Sequence, residues 1–208
     1  MTAPHVPPER MGLVTSLAVL RDVRRDDEIV ITTMGSAREW MRLGEPHPLD
    51  VVLVPSSMGH GTSIGLGLAL ARPDRRFIVC MGDGSMLMNL GSLASIVAAG
   101  AHNIVVLLFD NGVYEVTGHQ PTAGASAARG GGRAVDFGAV ARASGFDDVH
   151  RYGRAGAWQR DARRLLDAPG PTFIALDVEA VAGAEAPHSP GPAPERARRF
   201  MRALQQRS

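Results

Sequence analysis

The sequence predicts an α/β domain, a three-layer sandwich on a mostly parallel sheet. Short apolar runs alternate with longer segments of helical pattern along the 208 residues. Runs such as Val105–Phe109 are apolar at every position, as strands buried on both faces are. Several runs end in glycine-rich turns, and open parallel sheets bind ligands beyond the carboxyl ends of their strands.

A front helix is expected over Glu9–Val23, packed on the core or on a partner. Strands are expected at Glu28–Thr33, Val51–Val54, Phe77–Met81, Ile104–Asp110 and Thr172–Asp177, with a weaker one near Asp147–Arg151. Helices are expected at Ser36–Leu43, Thr62–Ala71, Met86–Ala99, Asp136–Ser144 and Arg154–Leu166. Asp136 reads as an N-cap, and Gly100 and Gly145 as helix stops. Gly124–Gly132 reads as a mobile loop over a site. Val181–Pro194, rich in Ala, Gly and Pro, reads as an extended arm leading to a last helix, Glu195–Gln206. The expected division is an N-terminal helical segment (1–26), one domain (27–178), and a C-terminal arm and helix (179–208).

Composition excludes several classes of function. A net charge of +1 gives no reason to expect a nucleic-acid or membrane surface. All 22 basic residues are arginine, so a phosphate loop that needs its lysine and a Schiff-base lysine are both excluded. The single cysteine, Cys80, cannot form an internal disulfide and reads as a buried structural thiol. The first ten residues lack the apolar core of a signal peptide, and no run of about 18 apolar residues exists. The expected location is the cytoplasm.

Two turns carry the most chemistry. Gly82-Asp83-Gly84-Ser85 follows one expected strand and Asp110-Asn111-Gly112 follows another, with Asp83 and Asn111 28 positions apart. One strand-helix-strand unit brings both to the same sheet edge. A carboxylate, an amide oxygen and a backbone carbonyl leave open positions on a six-coordinate Mg²⁺ for phosphate oxygens and water. A helix starting near Ser85 would favour an anion there. Taken singly, Asp-Gly and Asn-Gly are common turn dipeptides; it is their pairing that favours a metal site. Ser56-Ser57-Met58-Gly59-His60-Gly61 is a third strand-to-helix turn, suited to phosphate or a flat ring. Gly65-Leu66-Gly67 falls inside a helix and lacks a third glycine, so it is not a dinucleotide fingerprint.

With these residues in view, the chain resembles the diphosphate-binding half of thiamine-diphosphate enzymes, and within them the phosphonopyruvate and sulfopyruvate decarboxylases. The likeness runs from about Ile29 to Asp177, through Ser57–Gly61, Gly82–Ser85 and Asp110–Tyr114, with Asn89–Leu93 and Thr117–Thr122 in support. The resemblance implies the thiamine-diphosphate-binding fold, with thiamine diphosphate and Mg²⁺ as cofactors. It implies metal ligation by the side chains of Asp83 and Asn111 and by the Val113 carbonyl. Gly59, His60, Gly84 and Ser85 would line the diphosphate, with Ser57, Gly82 and Tyr114 in the same cofactor-binding set. Met58 would be the apolar wedge that bends the cofactor, although a core methionine is its plain alternative. The Ser56 carbonyl would accept from the aminopyrimidine. His119, Glu115 and Tyr114 are the candidates for catalytic roles; Glu115 and His119 depart from the residues usual at these positions, which leaves the substrate open. Thr33, Ser36 and Arg38 stand where an anionic substrate tail could be held, yet Arg38 reads first as a surface helix residue.

The resemblance further implies a lyase that decarboxylates a short 2-oxo acid. The missing pyrimidine-binding domain, with its catalytic glutamate, would be a separate subunit, making a hetero-oligomer. A carboligase of the acetolactate synthase kind, a non-catalytic scaffold of the same fold and a plain nucleotide-binding fold are the alternatives.

Overall fold

The structure is a computed structural model that describes residues 9–54, 57–125, 134–183, 185 and 188–205. In chain order the elements are β1 (Met11–Gly12), α1 (Leu13–Val23), β2 (Ile29–Thr33), α2 (Met34–Arg42), β3 (Asp50–Leu53), α3 (Gly61–Ala71), β4 (Phe77–Gly82), α4 (Asp83–Leu87) and α5 (Gly91–Ala98). They continue with β5 (Ile104–Asp110), β6 (Val113–Tyr114), a 3₁₀ turn at Glu115–Thr117, β7 (Gln120–Pro121), α6 (Phe137–Ala143), β8 (Asp148–Tyr152), α7 (Ala155–Asp167), β9 (Thr172–Glu179) and α8 (Ala193–Gln205).

The main sheet runs β3-β2-β4-β5-β9, and β8 and β1 share the outer edge of β9. Every pairing in it is parallel. The period of two along each strand sorts its side chains into two cores. Ile78, Cys80, Val105 and Leu107 join Leu17, Leu20, Trp40 and Trp158 on one face. Phe77, Val79, Val106 and Leu108 join Leu93, Ile96, Phe137 and Phe146 on the other. Helices cover both faces, as the apolar central strands require. Cys80 is fully buried, and burial pushes its thiol pKa up.

Trp158 anchors the first core. It is fully buried, and its indole N–H donates to the Ser16 carbonyl at 3.0 Å. Trp158→Phe removes that hydrogen bond and opens a small void, which is expected to cost about 2 kcal/mol. Urea denaturation reads this directly; a midpoint unchanged from the parent would contradict it.

Three expectations are corrected. The front helix starts at Leu13, because Met11 and Gly12 pair with Val178 and Glu179 as a strand. The single helix expected over Met86–Ala99 is two helices, α4 and α5. Between them Asn89 turns its amide to the Gly59 carbonyl (2.9 Å) and Ser63 Oγ (3.0 Å), which holds the chain out of helical line. Arg38 is not on the surface; it is 7% exposed and ion-paired. Elsewhere the expected elements agree to within a few residues, and Asp136 caps α6 by accepting from the Ala139 N–H at 3.0 Å.

The loop expected over a site lies, from residue 126 to 133, outside the described residues; Val135 N–H and the Gly124 carbonyl bond across its base at 2.8 Å. Residues 1–8 lie outside them as well. At the far edge, α8 covers β3, with Arg196 donating to the carbonyls of Val52 and Val54. Among the described residues no helix is long and apolar enough to cross a membrane.

Candidate active site

The chain reverses direction across the sheet at β2. Helix α2 leads outward to β3, and α3 returns over the opposite face to β4. The carboxyl ends of β2 and β4 therefore part at a topological switch point, where open α/β sheets form their crevice. A cavity of about 340 Å³ lies there. After β2 it is lined by Met34, Gly35 and Ser36, after β4 by Gly82, Asp83, Gly84 and Ser85, and after β5 by Asn111, Val113, Tyr114 and Glu115. Met58, Met88, Phe109 and Val116 add apolar surface.

The register sets the two turns side by side. Gly82 pairs with Phe109, so Asp83 comes off β4 beside Asp110 and Asn111. Asp83 is 1% exposed, and one carboxylate oxygen accepts from Thr122 Oγ1 at 2.8 Å. Burial, then the nearby charge of Asp110, push its pKa up to about 6. Asp110 is itself held above its ordinary value by burial, against the pull of Arg151.

Asn111 is fixed at three points. Its Oδ1 accepts from Val113 N–H and its Nδ2 donates to Glu115 Oε1, both at 2.9 Å. Arg10 donates to its backbone carbonyl at 2.9 Å and to the Val178 carbonyl at 3.3 Å. The carbonyls of Gly112 and Tyr114 accept from Thr122 and His119 across the small hairpin. Alternation along the strand therefore turns the Val113 carbonyl to the opposite edge.

Gly84 lies against a ring: a Cβ there would come within 2.4 Å of Tyr114 Cε1. The turn before α3 is tied to the same place. Gly59, at φ +77°, donates its N–H to Ser85 Oγ at 3.0 Å, and its carbonyl takes Asn89. Met34, at the cavity wall, is a non-glycine residue at φ +49°, a conformation that costs about 1 kcal/mol or more. The capping box of Thr33 and Ser36 holds it, and Ser36 Oγ in turn donates to the Cys80 carbonyl at 3.0 Å.

The structure thus gathers Met58, Gly82, Asp83, Gly84, Ser85, Asn111, Val113, Tyr114 and Glu115 on one cavity. Ser57 and His60 stand in the adjoining turn, where the His60 N–H meets the Ser57 carbonyl at 2.8 Å and the imidazole Nδ1 meets the Met58 carbonyl at 2.9 Å. His119 turns away, its Nε2 2.9 Å from the Val181 carbonyl. Ser56 lies outside the described residues. Met58 is half exposed at the cavity, not packed in the core. Sequence reading missed Thr122, Asn89 and Arg10 as parts of the site, since each reaches it through a contact far along the chain that no local pattern marks.

The family model for the thiamine pyrophosphate enzyme, C-terminal TPP binding domain, matches residues 32–176. The chain belongs to that family. Among its relatives, the sulfopyruvate decarboxylase subunit beta of Methanothermobacter thermautotrophicus is 36% identical over 74% of this chain and 75% of its own. The phosphonopyruvate decarboxylase of Streptomyces viridochromogenes is 36% identical over 82% of this chain, which spans only 40% of that longer protein. A solved structure of a protein from Mycobacterium smegmatis superposes with a TM-score of 0.64 at 20% identity, covering 83% of this chain and 32% of that one. That likeness concerns the fold.

Proposed function

We propose that the chain is the diphosphate-binding subunit of a two-chain thiamine-diphosphate-dependent decarboxylase of short 2-oxo acids, of the phosphonopyruvate or sulfopyruvate kind. The observation that carries this is a buried carboxylate, Asp83, beside an oriented amide, Asn111, on one cavity at the switch point. The residues fit a divalent cation. A carboxyl held near neutral by burial and a like charge is one that such an ion returns to its ionised form. Among the described residues no group of three or more His, Cys, Asp or Glu forms a protein-only cage. Mg²⁺ suits such a site, because it is bound by few carboxylates together with phosphate oxygens.

In this reading Asp83, Asn111 and the Val113 carbonyl hold Mg²⁺, and glycines 82 and 84 let a diphosphate approach the backbone. Ser85, Gly59, Ser57 and His60 line that end. Met58 supplies an apolar support under the rings, and the Ser56 carbonyl takes the aminopyrimidine. Thiamine diphosphate held there would supply an electron sink for the pair released as carbon dioxide leaves a 2-oxo acid. Tyr114 forms the wall over Gly84. The pyrimidine-binding domain and its glutamate come from a partner subunit, a reading supported by the match to a subunit beta over three quarters of its length.

The test is decarboxylation of sulfopyruvate and phosphonopyruvate with Mg²⁺ and thiamine diphosphate, by the chain with and without its partner. Carbon dioxide release only from the pair is expected. Turnover by the isolated chain would refute the two-chain architecture, and a carboligated product would transfer the assignment to the acetolactate synthase kind of reaction.

A further inference from the structure

Glu115 is nearly buried at the cavity, and both of its oxygens are engaged. Oε2 takes the Arg38 guanidinium at 2.9 Å. Oε1 accepts two N–H groups at 2.9 Å each, from the Asn111 amide and from the Val181 backbone. Arg38 in turn donates to Glu39 Oε1 at 2.6 Å and to the Glu185 carbonyl at 3.0 Å. Buried charges persist when they are paired and bonded in this way.

The effect falls on Asn111. With its amide as placed, Oδ1 meets a donor, Val113 N–H, and Nδ2 meets an acceptor, Glu115. Turned over, the amide would set nitrogen against N–H and oxygen against a carboxylate. Two independent partners thus select one orientation. Space has been kept for the second partner: a Cβ on Gly35 would come within 3.0 Å of Glu115 Oε2.

We propose that Glu115, with Arg38 as its counter-ion, is a positioning residue that sets the Asn111 amide oxygen for metal binding and ties it to the chain after β9. The inference rests on the reading of Asn111 as a ligand. Partners behind a metal ligand typically govern affinity by about 10- to 100-fold.

The test uses the full chain with its partner subunit and thiamine diphosphate in excess. Mg²⁺ affinity is measured by calorimetry, and Mn²⁺ by electron paramagnetic resonance. E115Q is expected to weaken both ions about 10- to 100-fold. R38M is expected to weaken them in the same direction. Because loss of the ion pair can also unfold the chain, Gly35→Ala supplies a second arm. It keeps every charge and only presses on Oε2, and it is expected to weaken the metal by about threefold. Unchanged metal affinity in E115Q with kcat lost would make Glu115 a group that acts on substrate and overturn the proposal. Unchanged affinity in E115Q beside total loss in Asp83→Asn sinks this proposal alone. If the parent binds neither ion, the metal assignment falls and takes this proposal with it.

Discussion

Asp83→Asn is expected to make the metal-free chain more stable while removing its Mg²⁺-dependent binding of thiamine diphosphate. The carboxyl of Asp83 is pushed up to about 6 in the fold, against an ordinary value near 4 in the unfolded chain, by burial and by Asp110. A carboxyl raised in the native state favours folding when protonated and opposes it when ionised. The unfolded chain ionises first, so this group's contribution falls as pH rises from about 4 to 6 and stays unfavourable above. Fully ionised, it costs about 3 kcal/mol. Asparagine keeps the shape and an oxygen for the Thr122 hydroxyl but carries no charge. In chemical denaturation without metal the variant should exceed the parent by about 3 kcal/mol at pH 8 and match it near pH 4. Saturating Mg²⁺ and thiamine diphosphate should reverse the order, since only the parent gains from ligand binding. An asparagine variant no more stable at pH 8 would contradict the buried unfavourable charge, and one still stabilised by Mg²⁺ with cofactor would remove Asp83 from the metal site.

The second large effect is expected from Gly84→Ala. The new methyl would lie 2.4 Å from Tyr114 Cε1, 2.7 Å from Cδ1 and 3.3 Å from Thr122 Cγ2. Tyr114 is held by its strand pairing with Gln120, so its ring must swing away from the cavity wall. Overpacking of this kind costs about 1–3 kcal/mol, and cofactor affinity should fall because the wall over the diphosphate end is displaced. Gly84→Ala combined with Tyr114→Ala removes the clash. Its stability should return to that of Tyr114→Ala alone, a coupling that a double-mutant cycle reads. Strict additivity of the two substitutions would show that the ring does not press on Gly84.

The alternation of apolar runs and helical patterns was sufficient for the α/β class, the two-faced burial of β4 and β5, and the position of the switch-point turns. Those features are local: a strand buried on both sides reads apolar at every position, and a strand-to-helix turn needs small residues. Asp83 and Asn111 stand out in the sequence for the same reason, since each lies next to a glycine at the end of an apolar run. Where sequence reading failed, a distant contact had overruled a local pattern. Met86–Ala99 has helical periodicity, yet Asn89 is claimed by Gly59 and Ser63. Arg38 has the look of a solvated helix residue, yet it faces Glu115 across 77 positions of chain.

The order of residues alone determined the fold class, most of the central strands and helices, and where the glycine-rich turns fall, because propensity, burial pattern and turn chemistry act within a few neighbours. Folding settled the rest: the pairing of Thr122 with Asp83, of Arg10 with the Asn111 carbonyl, and of Arg38 with Glu115. Hydrogen bonds and ion pairs depend on distance in space, and the sheet register creates those distances only once strands far apart in the chain lie side by side.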